Sequence, residues 1–269
     1  MAAASWVLVD DLDAALGAAE QMATDVALLD WVLAGGAPVL RLYRWSPPAL
    51  TLGRFQDEAE IDTAACARRG VEVVRRPTGG RALLHGADVT YAIAMPVPPG
   101  PAGHVEPLYR HVAGALVAGL ARLGVRAEVA RRRGEMDAVC FASQRGADLR
   151  VGDSKVCGSA QVRRDGVVLQ HGAVLVDRLP FDETDLVTAT SAASSEARAE
   201  AHARLRASTI TLAELGAPTD PRTVADALVG GFASTLDVDF RLTVRSGVLG
   251  QASTSTSGAT SGDGRPVTG

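Results

Sequence analysis

The sequence predicts an α+β (α/β) fold, a single domain whose central mixed or antiparallel sheet is flanked by helices. Short β-like runs separated by Gly/Pro turns fill residues 39–52, 71–95 and 125–176. Segments with helical apolar spacing bracket them, at 13–34, 106–123 and 221–236. With 269 residues, 47% of them hydrophobic, the chain can bury the core of one large domain.

In chain order, Leu16, Ala19, Ala23, Val26, Ala27, Val32 and Leu33 recur at helical spacing, and Gly35-Gly36 stops the helix. Val39 to Tyr43 and Ala49 to Leu52 read as strands on either side of Ser46-Pro47-Pro48. Residues 57–69 read as a helix leading into the strand from Val71. The stretch 75–85 is a strand-turn-strand junction before a second apolar run, Val89 to Met95. The segment PVPPGPAG at 96–103 excludes regular structure, since its prolines lack amide donors. Leu108, Val112, Leu116 and Leu120 form the stripe of the next helix. Strands are then expected over 125–129, 138–141, 147–151, 155–162 and 167–176, the last two joined through Arg164-Asp165-Gly166. Residues 181–245 carry helix-like patterning, clearest at Val224, Leu228 and Phe232. The domain is expected to span 1–245, and 246–269, rich in Gly, Ser and Thr, is expected to be a disordered tail.

Composition excludes several function classes. A net charge of -4 argues against general nucleic-acid binding, and no run of 18 apolar residues suits a membrane span. Three cysteines, Cys66, Cys140 and Cys157, lack metal-ligand spacing, and the N-terminus has no basic leader. A cytoplasmic protein without a metal is the reading.

The densest chemistry lies in Arg75-Arg76-Pro77-Thr78-Gly79-Gly80-Arg81-Ala82-Leu83-Leu84-His85. Adjacent glycines permit close approach of a ligand to the main chain, and three arginines around them make a site for an anionic or strongly polar group. The other reading is a hairpin turn with solvated arginines. A second motif follows: Gly152-Asp153-Ser154-Lys155-Val156-Cys157-Gly158-Ser159-Ala160-Gln161, then Leu169-Gln170-His171-Gly172. Neither common phosphate-loop motif is present.

These motifs, in this order, resemble the lipoate/octanoate branch of the biotin and lipoate protein ligase superfamily over roughly residues 15–240. The run LRLYRWSPPALTLGRFQ at 40–56 and Met22-Ala23 with Asp25 add to the resemblance. It implies one catalytic domain with a mixed sheet, a medium-chain acyl substrate, and as acceptor a lysine on a lipoyl carrier domain. Within the branch, Val139-Cys140-Phe141 resembles the site of cysteine-dependent octanoyltransferases that modify the glycine cleavage H protein. Gly79-Gly80-Arg81, where ligases commonly have a third glycine, points the same way.

The resemblance implies Cys140 as nucleophile and Lys155 as its activator, because a nearby ammonium favours the thiolate. It implies substrate contacts from Arg75, Arg76, Thr78, Gly79, Gly80, Arg81, His85, Gly158, Ser159, Ala160, Gln161, His171 and Gly172. Octanoyl acyl carrier protein would be the donor and no cofactor would be needed. An ATP-dependent lipoate protein ligase, requiring ATP and magnesium, is the alternative enzyme; an inactive protein that binds lipoyl domains is the alternative of another class. His85 and His171 have a second reading as hydrogen-bonded structural histidines. Cys157 and Cys66 read as core, which is also the second reading of Cys140 between Val139 and Phe141; Arg131, Arg132 and Arg133 read as a solvated loop, with docking of an acidic carrier protein as the alternative. Gly86 stands where the family commonly has an acidic residue after the motif histidine, with Asp88 nearby.

Overall fold

A computed structural model describes residues 4–130, 148–191 and 193–252. Its strands and helices in chain order are β1 (Ala4–Asp11), α1 (Ala18–Leu33), β2 (Val39–Tyr43), β3 (Ala49–Leu52), α2 (Thr63–Arg68), β4 (Glu72–Arg75), β5 (Leu83–His85), β6 (Asp88–Pro96), α3 (Val105–Arg122), β7 (Glu128–Val129), β8 (Leu149–Val151), β9 (Ser154–Arg164), β10 (Val167–Leu175), α4 (Thr188–Ser191), α5 (Ser195–Ser208), α6 (Pro221–Leu236), β11 (Val238–Thr243) and α7 (Arg245–Ala252). Among the described residues, one sheet has eight strands in the order β11-β1-β2-β6-β10-β9-β8-β7, and a second has three, β4-β3-β5. The large sheet is mixed: β1 runs parallel to β11 and β2, whereas β2, β6, β10 and β9 pair antiparallel.

Helices cover both faces of this sheet. Leu108, Val112, Leu116 and Leu120 of α3 and Val224, Leu228 and Phe232 of α6 bury against Leu40, Leu42, Tyr91 and Ile93. On the other face α1 brings Met22, Leu28, Leu29 and Val32 onto Val39, Tyr43, Ala92 and Ala94. Full burial of a leucine such as Leu28 contributes about 1.5–3 kcal/mol. The start of α1 is held from outside, where the Glu72 carboxylate accepts from the Ala18 N–H. That bond ties α1 to the small sheet.

Four sequence expectations change. The helix expected from 13 begins at Ala18, where Gly17 is the cap. Ala4–Asp11, for which no element was expected, and Val238–Thr243, within the stretch expected to be helix-like, are strands that pair with each other in register Ala4↔Val238 through Val9↔Thr243. Among the described residues β11 has β1 as its partner, more than 200 residues away, which no local pattern displays. Of the tail expected from 246, residues 246–252 belong to α7 and Val248 is fully buried against the α1 layer, while 253–269 lie outside the described residues. The 75–85 stretch is the expected strand-turn-strand junction, but its other reading as a hairpin changes: β4 and β5 do not pair with each other and lie on opposite sides of β3, one parallel and one antiparallel. The strand expected at 138–141 and Arg131 to Arg133 lie outside the described residues.

Candidate active site

The register of four central strands creates the space for a site. One row across the sheet reads Tyr43, Thr90, Ala173, Gly158, and the next but one Arg41, Ala92, His171, Ala160. Away from Tyr43, Arg41 and His171 the residues on this face are small. A cleft of about 260 Å³ opens over them, walled by Gly79 and Gly80 on one side and the start of α3 on the other. Its inner end is buried, at Met22, Tyr43, Trp45, Thr51, His85 and Thr90. Its mouth is wet, with Val105 57% exposed and Glu106 beside it.

The arginines of the central stretch are internal staples. Arg76 is buried, and its Nη1 donates to Thr51 O (3.0 Å) and Oγ1 (3.1 Å) while Nη2 donates to Gly79 O (2.9 Å) and Arg81 O (2.7 Å). Arg75 clamps the carbonyls of Gly53 (2.9 Å) and Gln56 (2.7 Å) and meets Glu58. Arg81 pairs with Glu60. Of the three only Arg76 lines the cleft and bonds carbonyls of the loop itself, whereas Arg75 and Arg81 tie the loop to the 53–60 segment, so three arginines do not converge on the cleft. The cause is local: a turn of adjacent glycines leaves several carbonyls without strand partners, and a planar guanidinium satisfies more than one at once. Gly80 has φ +105, and a Cβ on Gly53 would lie 1.9 Å from the Gly80 carbonyl oxygen. Both positions therefore require glycine.

Two buried imidazoles grip this loop from opposite ends. His171 on β10 meets Asp25 Oδ2 through Nδ1 (2.9 Å) and Thr78 Oγ1 through Nε2 (2.7 Å). His85 on β5 meets Asp88 Oδ2 through Nδ1 (3.0 Å) and Thr51 Oγ1 through Nε2 (3.2 Å). A carboxylate only accepts, so Nδ1 carries the proton in both rings and Nε2 faces the hydroxyl. Burial raises the Asp25 carboxyl, but the His171 hydrogen bond, the Arg41 charge and the Tyr43 hydroxyl outweigh it and hold it below the usual range. Burial likewise acts against Asp88, and the His85, Thr90 and Gly86 contacts prevail to lower it. Asp88 thus makes the contact that Gly86 cannot. Arg41, fully buried, completes the inner network with Asp11 (2.8 Å) and Asp25 (2.9 Å).

Lys155 reaches the cleft through an irregularity in β9. Leu149 pairs with Cys157 and Arg150 with Lys155, so β9 spends two steps where β8 uses one. Val156 and Cys157 both face the core, and the bulge turns Lys155 to the cleft instead. There its Nζ lies 3.0 Å from Asp148, both groups buried. Asp148 is the first described residue after the segment that holds Cys140, which itself lies outside the described residues. The two described cysteines are poor nucleophiles: burial pushes the Cys157 thiol up to about 12 and raises Cys66 as well. Neither lines the cleft.

The remaining motif residues form its outer wall. Gly158, Ser159, Ala160, Gln161 and Gly172 all line it, and a Cβ on Gly172 would strike Gly158 O (2.4 Å) and the Tyr91 ring (2.8 Å). The Tyr91 hydroxyl donates to Ser159 Oγ (2.8 Å), and that of Tyr109 donates to Ser159 O. Thr78 is buried behind the wall and acts through His171. Asp25, Arg41, Tyr43, Trp45, Asp88 and Asp148 were not among the expected site residues. The available signal was a charge within an apolar pattern, Asp25 on the α1 stripe and Arg41 in VLRLY, since such charges are buried only in pairs. Asp182, Asp185 and His202 group together away from the cleft. Both imidazole nitrogens there already face carboxylates, at 2.9 and 3.2 Å.

Comparison with known proteins matches residues 17–233 to the lipoyl protein ligase A/B catalytic domain. The chain is 36% identical to octanoyltransferase LipM of Carboxydothermus hydrogenoformans, over 88% of both chains. It is 39% identical to octanoyltransferase LipM of Symbiobacterium thermophilum, covering 81% of this chain and 82% of the other. Among solved structures, a lipoate-protein ligase A bound with ATP superposes with a TM-score of 0.71 at 23% identity, over 93% of this chain and 94% of that one. A putative lipoate protein ligase from T. acidophilum gives 0.68 at 25% identity, over 95% of each. The chain therefore belongs to the lipoyl protein ligase A/B catalytic domain family.

Proposed function

We propose that this chain is an octanoyltransferase that works through a cysteine acyl-enzyme. The Cys140 thiolate attacks the carbonyl of an octanoyl thioester, forming a new carbon–sulfur bond as the carrier thiolate leaves and takes up a proton. The neutral amine of an acceptor lysine then attacks this second thioester, the amide forms, Cys140 leaves as thiolate, and the amine proton passes to solvent. Thioester exchange is nearly balanced, so no nucleotide is needed. The donor is octanoyl acyl carrier protein and the acceptor a lipoyl carrier domain, the glycine cleavage H protein in particular.

The observation that carries the reading is Lys155. A β-bulge turns its buried amino group into the cleft, and Asp148, which follows the Cys140 segment in the chain, pairs with it at 3.0 Å. A fixed positive charge there favours a thiolate and the developing oxyanion of the thioester. The small residues of the sheet face leave room for an alkyl chain, and the octanoyltransferase names of the relatives agree. The catalytic unit extends through α7, and among the described residues no helix is long and apolar enough to cross a membrane.

The test is transfer to a lipoyl domain from octanoyl carrier protein without ATP or magnesium. Efficient transfer is expected. Transfer from free octanoate plus ATP at an equal or higher rate would replace this reading with the ligase, whose fold the chain shares.

A further inference from the structure

The cleft does not end in satisfied groups. Gln161 lines the cleft and Arg163 lies two residues beyond it on β9, and each has a buried donor with no hydrogen-bond partner, Gln161 Nε2 and Arg163 Nη2. They are linked: Arg163 Nε donates to Gln161 Oε1 at 3.0 Å, which fixes the orientation of the amide and leaves Nε2 as its outward donor. Arg163 Nη1 donates to the carbonyl of Gly103, just before α3, in a bond that joins β9 to that helix start. The named partners of this guanidinium are therefore two neutral oxygens. Its neighbour differs, since Arg164 has the Asp30 carboxylate. Burial lowers the Arg163 pKa, the direction expected of a cation without a counter-charge. Such a group gains most from an anion that arrives with the ligand.

We infer that Gln161 and Arg163 form a subsite for the polar arm of the thioester donor, in which Arg163 takes the phosphate at its end and Gln161 an amide carbonyl along it. The inference rests on the thioester reading above. From Gly158, in the cleft, to Arg163 the strand covers roughly 17 Å at ~3.3 Å per residue. An extended arm of a dozen bonds of ~1.5 Å reaches on the order of 15 Å, so an arm laid along β9 with its sulfur in the cleft brings its phosphate to Arg163. An acyl chain of eight carbons is too short to reach both ends. Gln161, two residues from Arg163 on the same strand face, meets such an arm midway.

The test measures binding separately from turnover. Dissociation constants of phosphopantetheine and of pantetheine, which lacks only the phosphate, are compared for the wild-type chain, Arg163→Gln and Arg163→Lys. Wild type is expected to prefer the phosphorylated arm by tenfold or more, Arg163→Gln to lose that preference, and Arg163→Lys to keep part of it. Equal affinity of wild type for both ligands overturns the subsite and leaves the two donors to water. A preference that survives in Arg163→Gln also overturns it. So does an Arg163→Gln defect seen only with intact carrier protein, which places an acidic protein surface on Arg163 instead. Covalent acyl transfer from octanoyl-N-acetylcysteamine, which has no phosphate, reports on the thioester reading alone, so failure of that reading is seen separately.

Discussion

The two ends of the cleft are built on opposite principles. At the inner end every charge is matched: Arg41 with Asp11 and Asp25, Asp25 with Tyr43 and His171, His171 with Thr78. At the mouth Gln161, and just beyond it on β9 Arg163, each retain a buried donor with no partner. A saturated network holds a shape, because removing any member strands the rest in low dielectric. An unsaturated pair is stable only if something else completes it. The difference assigns the inner residues to positioning the Gly79-Gly80 wall and the outer ones to reading a ligand.

The comparison breaks most visibly at Arg41. Arg41→Met leaves Asp25 buried without its guanidinium and Asp11 with only Arg245 at 3.7 Å, and the expected loss is about 3–5 kcal/mol in denaturant unfolding. A loss under about 1 kcal/mol would mean that the inner network is not held by charge. Next in size is Glu183, whose carboxyl lines a small second cavity with Oε1 unpartnered and is raised by burial from 4.5 to about 7. The folded state keeps this proton longer than the unfolded chain, so stability falls as pH rises from 4.5 to about 7. Asp25 and Asp88, held low, act in the other sense, and their contribution disappears as pH falls through their folded values. Glu183→Gln should therefore stabilise the protein at pH 8, by at most about 3 kcal/mol at ~1.4 kcal/mol per pH unit, and flatten the decline above 4.5. An unchanged pH profile would show that Glu183 has a partner in solution.

A smaller effect separates the two glycines. Gly80→Val forces a β-branched residue to φ +105 and should cost about 1–3 kcal/mol as well as activity. A Cβ on Gly79 meets nothing within 4 Å, so Gly79→Val should change stability by less than about 1 kcal/mol while its branches fill the cleft and raise KM. Matching thermal shifts and matching kinetics for the two variants would contradict a wall in which one glycine shapes the backbone and the other admits the ligand.

Much of this was legible in the residues. The helical stripe Leu108, Val112, Leu116, Leu120 and the β runs 39–43 and 49–52 follow from periodicity, and both lie where that pattern puts them. Lys155, Gly158 and His171 were found through motifs and do line the cleft. Strand β11 was missed because its partner β1 lies at the other end of the chain, and β1, which also pairs with β2, carries no turn-bounded pattern of its own. Arg75 and Arg81 do not line the cleft, because residue type alone does not say whether a guanidinium faces a ligand or, as here, the Gly53 carbonyl and the Glu60 carboxylate. The bulge that turns Lys155 inward depends on the register of β8, which no stretch of sequence encodes by itself.

The central claim is a covalent intermediate on Cys140, and mass spectrometry of the intact chain after incubation with octanoyl carrier protein, without nucleotide, tests it directly. One octanoyl group should appear, map to Cys140, persist in Cys157→Ala and Cys66→Ala, be absent from Cys140→Ser, and form slowly in Lys155→Arg, where a planar guanidinium replaces a compact ammonium. An adduct on Cys157, or full transfer by Cys140→Ser, would contradict the account.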